Sequence, residues 1–135
     1  MKFIFTLLFF VSFSNTAFAS WYIGKWKVDE VKTYSIIGGE NRGSFVGMVI
    51  DMMKDQTLEI TEEKFSLVST EQTLEFAYDI KNLSDKSVIL DLKEIPRDWE
   101  FGNDPNGTYM VVKKETKVNG KVAESKTYNV YLKPF

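Results

Sequence analysis

"LEFAYDI", Leu74 to Ile80, decides the fold class. Leu74, Phe76, Tyr78 and Ile80 fall on one side of an extended chain, with Glu75, Ala77 and Asp79 on the other, because strand side chains alternate with a period of two. A strand with one apolar and one polar face belongs to an antiparallel sheet that is wet on one side. Before it, "TLEITEEKFSLVS" alternates at Leu58 and Ile60, breaks at Glu62-Glu63-Lys64 and resumes at Phe65 and Leu67, the pattern of a hairpin. After it, "KNLSDK" reads as a turn and Ser87 to Leu92, "SVILDL", as a further strand. Thr108 to about Val118 is expected to pair with Lys121 to Lys133 across Asn119-Gly120, the favoured sequence of a type I′ turn.

Trp21 to about Thr33 reads as a first strand, with Trp26 and Val28 on one face. Val31 breaks the alternation, which places a bend or bulge near Asp29-Glu30. A loop, "IIGGENRG", follows. Ser44 to Gln56 reads as a helix: Phe45, Val49, Met52 and Met53 recur at helical spacing, Val46 and Ile50 widen the stripe, and Ser44 can cap its start. Only Asp51 interrupts this apolar surface, so the helix needs cover from a sheet or an opening to plug. Glu94 to Gly107, "EIPRDWEFGNDPNG", holds two of the three prolines and reads as the longest irregular stretch. The sum is an all-β chain of about seven strands. Successive hairpins make an antiparallel up-and-down meander, closed or nearly closed into a small barrel, with one helix after the first strand.

The first residues carry a different pattern. Lys2 is followed by an apolar run from Phe3 to Phe13, and Ala17-Phe18-Ala19 is a small-x-small cleavage signal, the three-part design of a secretory leader. The run is short of the ~20 residues of a membrane-spanning helix. Residues 1–19 are therefore expected to be a signal peptide and 20–135 one barrel domain, periplasmic or secreted, with no integral membrane segment after cleavage. The chain has no cysteine and no histidine. That excludes a disulfide framework, a thiol nucleophile and the usual acid–base residue. A net charge of −2 leaves no electrostatic footprint for nucleic acid.

Gly24-Lys25-Trp26 opens the first strand of this meander, and a Gly-x-Trp there resembles the lipocalin and fatty-acid-binding superfamily, in particular small bacterial lipocalin-like domains. The resemblance implies a cup for a small hydrophobic molecule, with the tryptophan closing one end. Lipocalins usually pack an arginine from the last strand on that tryptophan; here Lys133 is the nearest substitute. Where fatty-acid-binding proteins carry an Arg-x-Tyr near the C-terminus, this chain has Asn129-Val130-Tyr131.

The candidate ligand-lining residues are Trp26, Phe45, Met52, Phe76, Tyr78, Tyr109 and Tyr128, drawn from the inner sheet face and the helix. Met48, Met52, Met53 and Met110 suit an adaptable pocket wall, but core filler is the more frequent role for such residues and is the favoured reading. Arg97, Trp99 and Phe101, in the irregular stretch, are the candidate partner-contact residues, because tryptophan and arginine are enriched at interface hot spots. No catalytic residue, cofactor or metal site is expected, and the chain reads as a binder and not an enzyme. Two functions remain open: a secreted or periplasmic barrel that binds a small hydrophobic ligand, and a protein-interaction module such as a periplasmic inhibitor or immunity protein.

Overall fold

In a computed structural model, residues 21–37 and 44–135 are described; residues 1–20, where the signal peptide is expected, and 38–43, within the stretch read as a loop, lie outside them. The elements run in the order β1 (Gly24–Val28), α1 (Glu30–Ile37), α2 (Phe45–Met53), β2 (Thr57–Ile60), β3 (Lys64–Val68), β4 (Thr73–Leu83), β5 (Ser87–Leu92), β6 (Arg97–Asp104), β7 (Gly107–Val118) and β8 (Lys121–Pro134). Each strand pairs antiparallel with its neighbours in the chain, and β1 closes on β8 to complete an eight-stranded barrel.

Register follows the alternation. Leu58 stands opposite Leu67 and Phe65 opposite Phe76, while Phe101 stands opposite both Val88 and Met110. Opposed residues share a face, so these apolar side chains fill the interior and the charged ones stay outside. Leu58, Phe65, Val88, Leu90 and Val130 are fully buried. Exposed ion pairs such as Lys25 with Glu59 and Lys64 with Glu75 decorate the outer wall and add little stability.

Three readings of the sequence are corrected. The first strand does not continue to Thr33. Asp29 turns the chain: its Oδ1 accepts the Lys32 N–H at 3.0 Å, capping α1, so a second helix lies between β1 and β2. Val31, the residue that broke the alternation, points to solvent on this helix. Thr33 ties α1 to the barrel. Its hydroxyl donates to the Asp29 carbonyl and accepts the Tyr131 N–H, occupying the β8 edge where β1 has ended.

The second correction is β6. The stretch from Glu94 to Gly107 is no loop: only its ends turn, and Arg97–Asp104 is a full strand between β5 and β7. It makes the eighth strand. The third concerns Lys133, which pairs with Lys27 while Trp26 pairs with Pro134. Lys133 is therefore on the face opposite the tryptophan and cannot stack on it.

The β7–β8 hairpin outruns the barrel. β6 reaches β7 only as far as Val111, and β1 meets β8 only from Leu132 onward. From Lys113 to Thr127 the hairpin runs through its turn as an exposed two-stranded ribbon. Asn119 and Gly120 have φ of 53° and 80°, as a type I′ turn requires.

Candidate functional site

The two barrel ends are built differently. One end carries the β2–β3, β4–β5 and β6–β7 turns and the segment that leads into β1. There the Trp21 Nε1–H donates to the Ser84 carbonyl at 2.8 Å and the Trp26 Nε1–H to the Tyr22 carbonyl at 2.9 Å. The Tyr78 hydroxyl donates to the Thr61 carbonyl. Aromatic bodies fill the opening and their polar tips reach backbone acceptors, so this end is plugged. Burial raises the Tyr78 hydroxyl well above the usual phenol range, with Tyr22 beside it adding to the shift, and burial also raises Tyr22.

Nearby, the Tyr109 ring lies on Gly102, its cross-strand partner; a Cβ at Gly102 would come within 2.2 Å of that ring. Tyr109 also packs on Tyr131, 5.4 Å between ring centres. The Tyr131 hydroxyl donates to Asp104 Oδ2 at 2.6 Å, and burial together with this carboxylate pushes the phenol up to about 12. Asp104 Oδ1 meanwhile accepts the Asn106 and Gly107 N–H groups, which folds the "NDPNG" turn.

The opposite end lies under α2. Ser44 caps this helix by accepting the Gly47 N–H at 3.2 Å, and Val46, Gly47, Ile50 and Met53 are buried. A cavity of about 370 Å³ opens between α2, β3, β6 and β7. Phe45, Val49, Met52 and Met53 supply its helix wall, and Leu67, Trp99, Met110 and Val112 its barrel wall. Phe45 is braced by Tyr128, 5.9 Å between rings, and Trp99 by Phe65 at 4.8 Å. Arg97 lines the cavity too, with its guanidinium 5.8 Å from the centre of the Trp99 ring. Asp98, also in the lining, is paired with Lys81 at 3.1 Å, and that contact raises the lysine pKa.

One lining residue is chemically odd. Gln56 sits between α2 and β2, its N–H bonded to the Met53 carbonyl, and its side-chain Oε1 is buried with no hydrogen-bond partner.

Of the residues singled out from the sequence, Phe45 and Met52 line the cavity and Tyr128 supports it from behind. Trp26 and Tyr78 belong to the plugged end. Tyr109 is committed to Gly102 and Tyr131, and Phe76 is half-buried against the core away from the cavity. Of Arg97, Trp99 and Phe101, the first two line the cavity and Phe101 is core, only 1% exposed. Met53 and Met110, read as filler, are cavity wall, whereas Met48 is exposed. Gln56 and Leu67 were missed. A glutamine just after a helix reads as linker, and nothing local distinguishes the Leu67 end of its strand from the Phe65 end.

Among the described residues no cluster of acidic side chains is arranged to hold a metal ion, and no helix is long and apolar enough to cross a membrane. Compared with family models, curated proteins and solved structures, the chain matches none.

Proposed function

We propose that this chain is a small-molecule binding protein, a lipocalin-like barrel of the periplasm or extracellular space that holds an apolar ligand beneath α2. The cavity carries the reading. Its volume, about 370 Å³, lies in the range of ligand pockets, roughly 300–1,000 Å³, and its walls are mostly hydrophobic and aromatic, with Gln56, Arg97, Asp98, Glu100 and Lys113 as their polar members. The lipocalin-like reading rests on Gly24-x-Trp26 and on the place of Trp26 at the plugged end. Location rests on the leader pattern of residues 1–19. The absence of histidine and cysteine from the sequence supports binding over catalysis.

Native mass spectrometry of protein purified without detergent tests this reading, together with titration by an environment-sensitive neutral dye. The expected result is a co-purifying small molecule, or saturable one-to-one dye binding that Trp99→Ala weakens. Protein that carries nothing and does not bind the dye would overturn it. Cell fractionation with N-terminal sequencing should place mature protein beginning at Ser20 outside the cytoplasm. The alternative, an inhibitor or immunity protein contacting its partner through Arg97, Trp99 and Phe101, is weaker. Two of these side chains line the cavity and the third is core.

A further inference from the structure

The ribbon formed by β7 and β8 has two long edges, and they are not alike. Tyr131 settles how the backbone of β7 is oriented. Its N–H donates to the Thr33 hydroxyl at 2.9 Å and its C=O accepts the Asp29 N–H at 2.8 Å, both on the side away from β7. Tyr109, its register partner, therefore turns its own N–H and C=O away from β8 and toward β6, because opposed residues of an antiparallel pair either bond each other or both face outward. Val111, Lys113, Glu115 and Lys117 alternate with Tyr109 and point the same way. β6 meets this row only as far as Val111. At Lys113, Glu115 and Lys117 the outward N–H and C=O groups have no described strand beside them, and all three residues are exposed.

An open edge is a template for another strand, and proteins ordinarily blunt it. The β8 edge is blunted. Thr116 pairs with Glu124 and Lys117 with Val122, so Ala123 is an extra residue that bends β8. β7 has no extra residue and no proline from Lys113 to Val118. Its guard is charge: Lys113, Lys114 and Lys117 surround a single acid, Glu115, and none of the three lysines has an ion-pair partner among the described residues. Residues 113–127 hold five lysines against two glutamates in a chain whose net charge is −2, so positive charge is gathered on this ribbon. Such a guard is selective. A second copy brings the same positive surplus and is repelled, whereas a strand of opposite charge is attracted.

We propose that the Lys113–Val118 edge of β7 is a docking site for an extended, acidic segment of a partner protein, which adds to the ribbon as a third strand. Main-chain hydrogen bonds to Lys113, Glu115 and Lys117 supply affinity, and the lysine side chains supply the preference for glutamate or aspartate in the added strand. The site is on the outside of the molecule and does not rest on a ligand in the cavity.

Two labelled ten-residue peptides test this, one alternating threonine with glutamate and one alternating threonine with lysine. Fluorescence anisotropy at low salt is expected to show the glutamate peptide binding at least about tenfold tighter. Glu115→Pro then separates strand pairing from charge. It removes an outward N–H and no bond between β7 and β8, a change that an edge strand tolerates, and it also removes the acid of this edge. Charge attraction alone would make the variant bind the glutamate peptide more tightly. Strand addition requires binding to fall about tenfold, the size of one net hydrogen bond, while Glu115→Ala, which keeps the N–H, binds at least as well as the wild type.

A second readout needs no variant: hydrogen exchange on the wild-type chain should show the Lys113, Glu115 and Lys117 amides slowed by the glutamate peptide. Equal affinity for the two peptides, binding undiminished by Glu115→Pro, or no slowing at those amides would each overturn the proposal. So would a dimer of the peptide-free chain in analytical ultracentrifugation that Glu115→Pro dissociates, since the edge would then belong to a second copy.

Discussion

The plugged end and the α2 end share the same eight strands yet have opposite internal economies. At the plugged end three aromatic side chains have both a hydrophobic contact and a polar anchor: Trp21 on Ser84, Trp26 on Tyr22, Tyr78 on Thr61. At the α2 end the wall is made of methionines and a tryptophan around empty space, Met52 is 66% exposed, and an amide oxygen goes unanswered. A folded chain tolerates such a region when the rest holds it in place, and departures from local consistency gather where function is. On the proposed reading, the contrast gives stability to one end and recognition to the other.

The sharpest attempt to break this assignment is Trp26→Ala. It removes the plug's central ring and the bond to the Tyr22 carbonyl, and should cost about 3 kcal/mol in denaturant unfolding. A loss below ~1 kcal/mol would mean that the plug does not carry the fold. Gly102→Ala is next. The added methyl must displace the Tyr109 ring, which in turn loosens Tyr131; overpacking of this kind costs about 2 kcal/mol. Tyr109→Ala combined with Gly102→Ala should recover the part of that loss that comes from the clash, a non-additivity that a double-mutant cycle measures.

Alkaline titration probes the same end without mutation. Tyr22, Tyr78 and Tyr131 all have pKa values raised from the ordinary 10.0 when folded, Tyr131 to about 12. Below pH 10 both states keep these protons, so stability is unaffected. As pH rises through that value and toward 12, the unfolded chain releases protons that the folded chain retains, and unfolding is favoured. Denaturation midpoints should be level to about pH 9 and fall beyond about pH 10. Tyr131→Phe should flatten part of that fall; an unchanged slope would separate Tyr131 from it.

The smallest effect on stability belongs to the other end. Met52→Ala, at an exposed helix position, should change stability by no more than ~0.5 kcal/mol. The same substitution should measurably weaken binding of the neutral dye, because it removes part of the cavity wall. A variant that loses stability and keeps affinity would reverse the roles of the two ends.

What could be read from the sequence divides along similar lines. Strands β2 to β5 and the β7–β8 hairpin announce themselves through alternation, which is a local property; Asn119-Gly120 sets the turn, and a register shift between Thr116 and Lys117 follows it. Helix α2 is equally plain from its stripe and its Ser44 cap. The first helix was obscured because Trp26 and Val28 set up an alternation that Asp29 ends abruptly. Strand β6 was obscured because Pro96 and "NDPNG" bracket it with turn residues and Arg97-Asp98 begins it with charge.

The site is harder to read for a physical reason. A cavity is made by what does not touch, and it assembles from positions as distant in the chain as Met52, Leu67, Trp99 and Met110. Inner-face periodicity marks Trp26, Tyr78 and Tyr109 as inward without saying whether they meet a void or one another. Gln56 becomes conspicuous only once the neighbours of its side chain are known.

The seam between β1 and β8 sets a timetable. All other strand pairings join neighbours in the chain, whereas this one joins residues about a hundred apart through only three register pairs, Trp26 with Pro134, Lys27 with Lys133 and Val28 with Leu132. Local hairpins can zip early, but the long loop must be closed before its few contacts return anything. Barrel closure is therefore the late event in folding and the first to reverse. Amide protons of β1 and of the end of β8 should exchange with solvent sooner than those of β4 and β5, so that the sheet opens and shuts along one slit while the remainder stays folded.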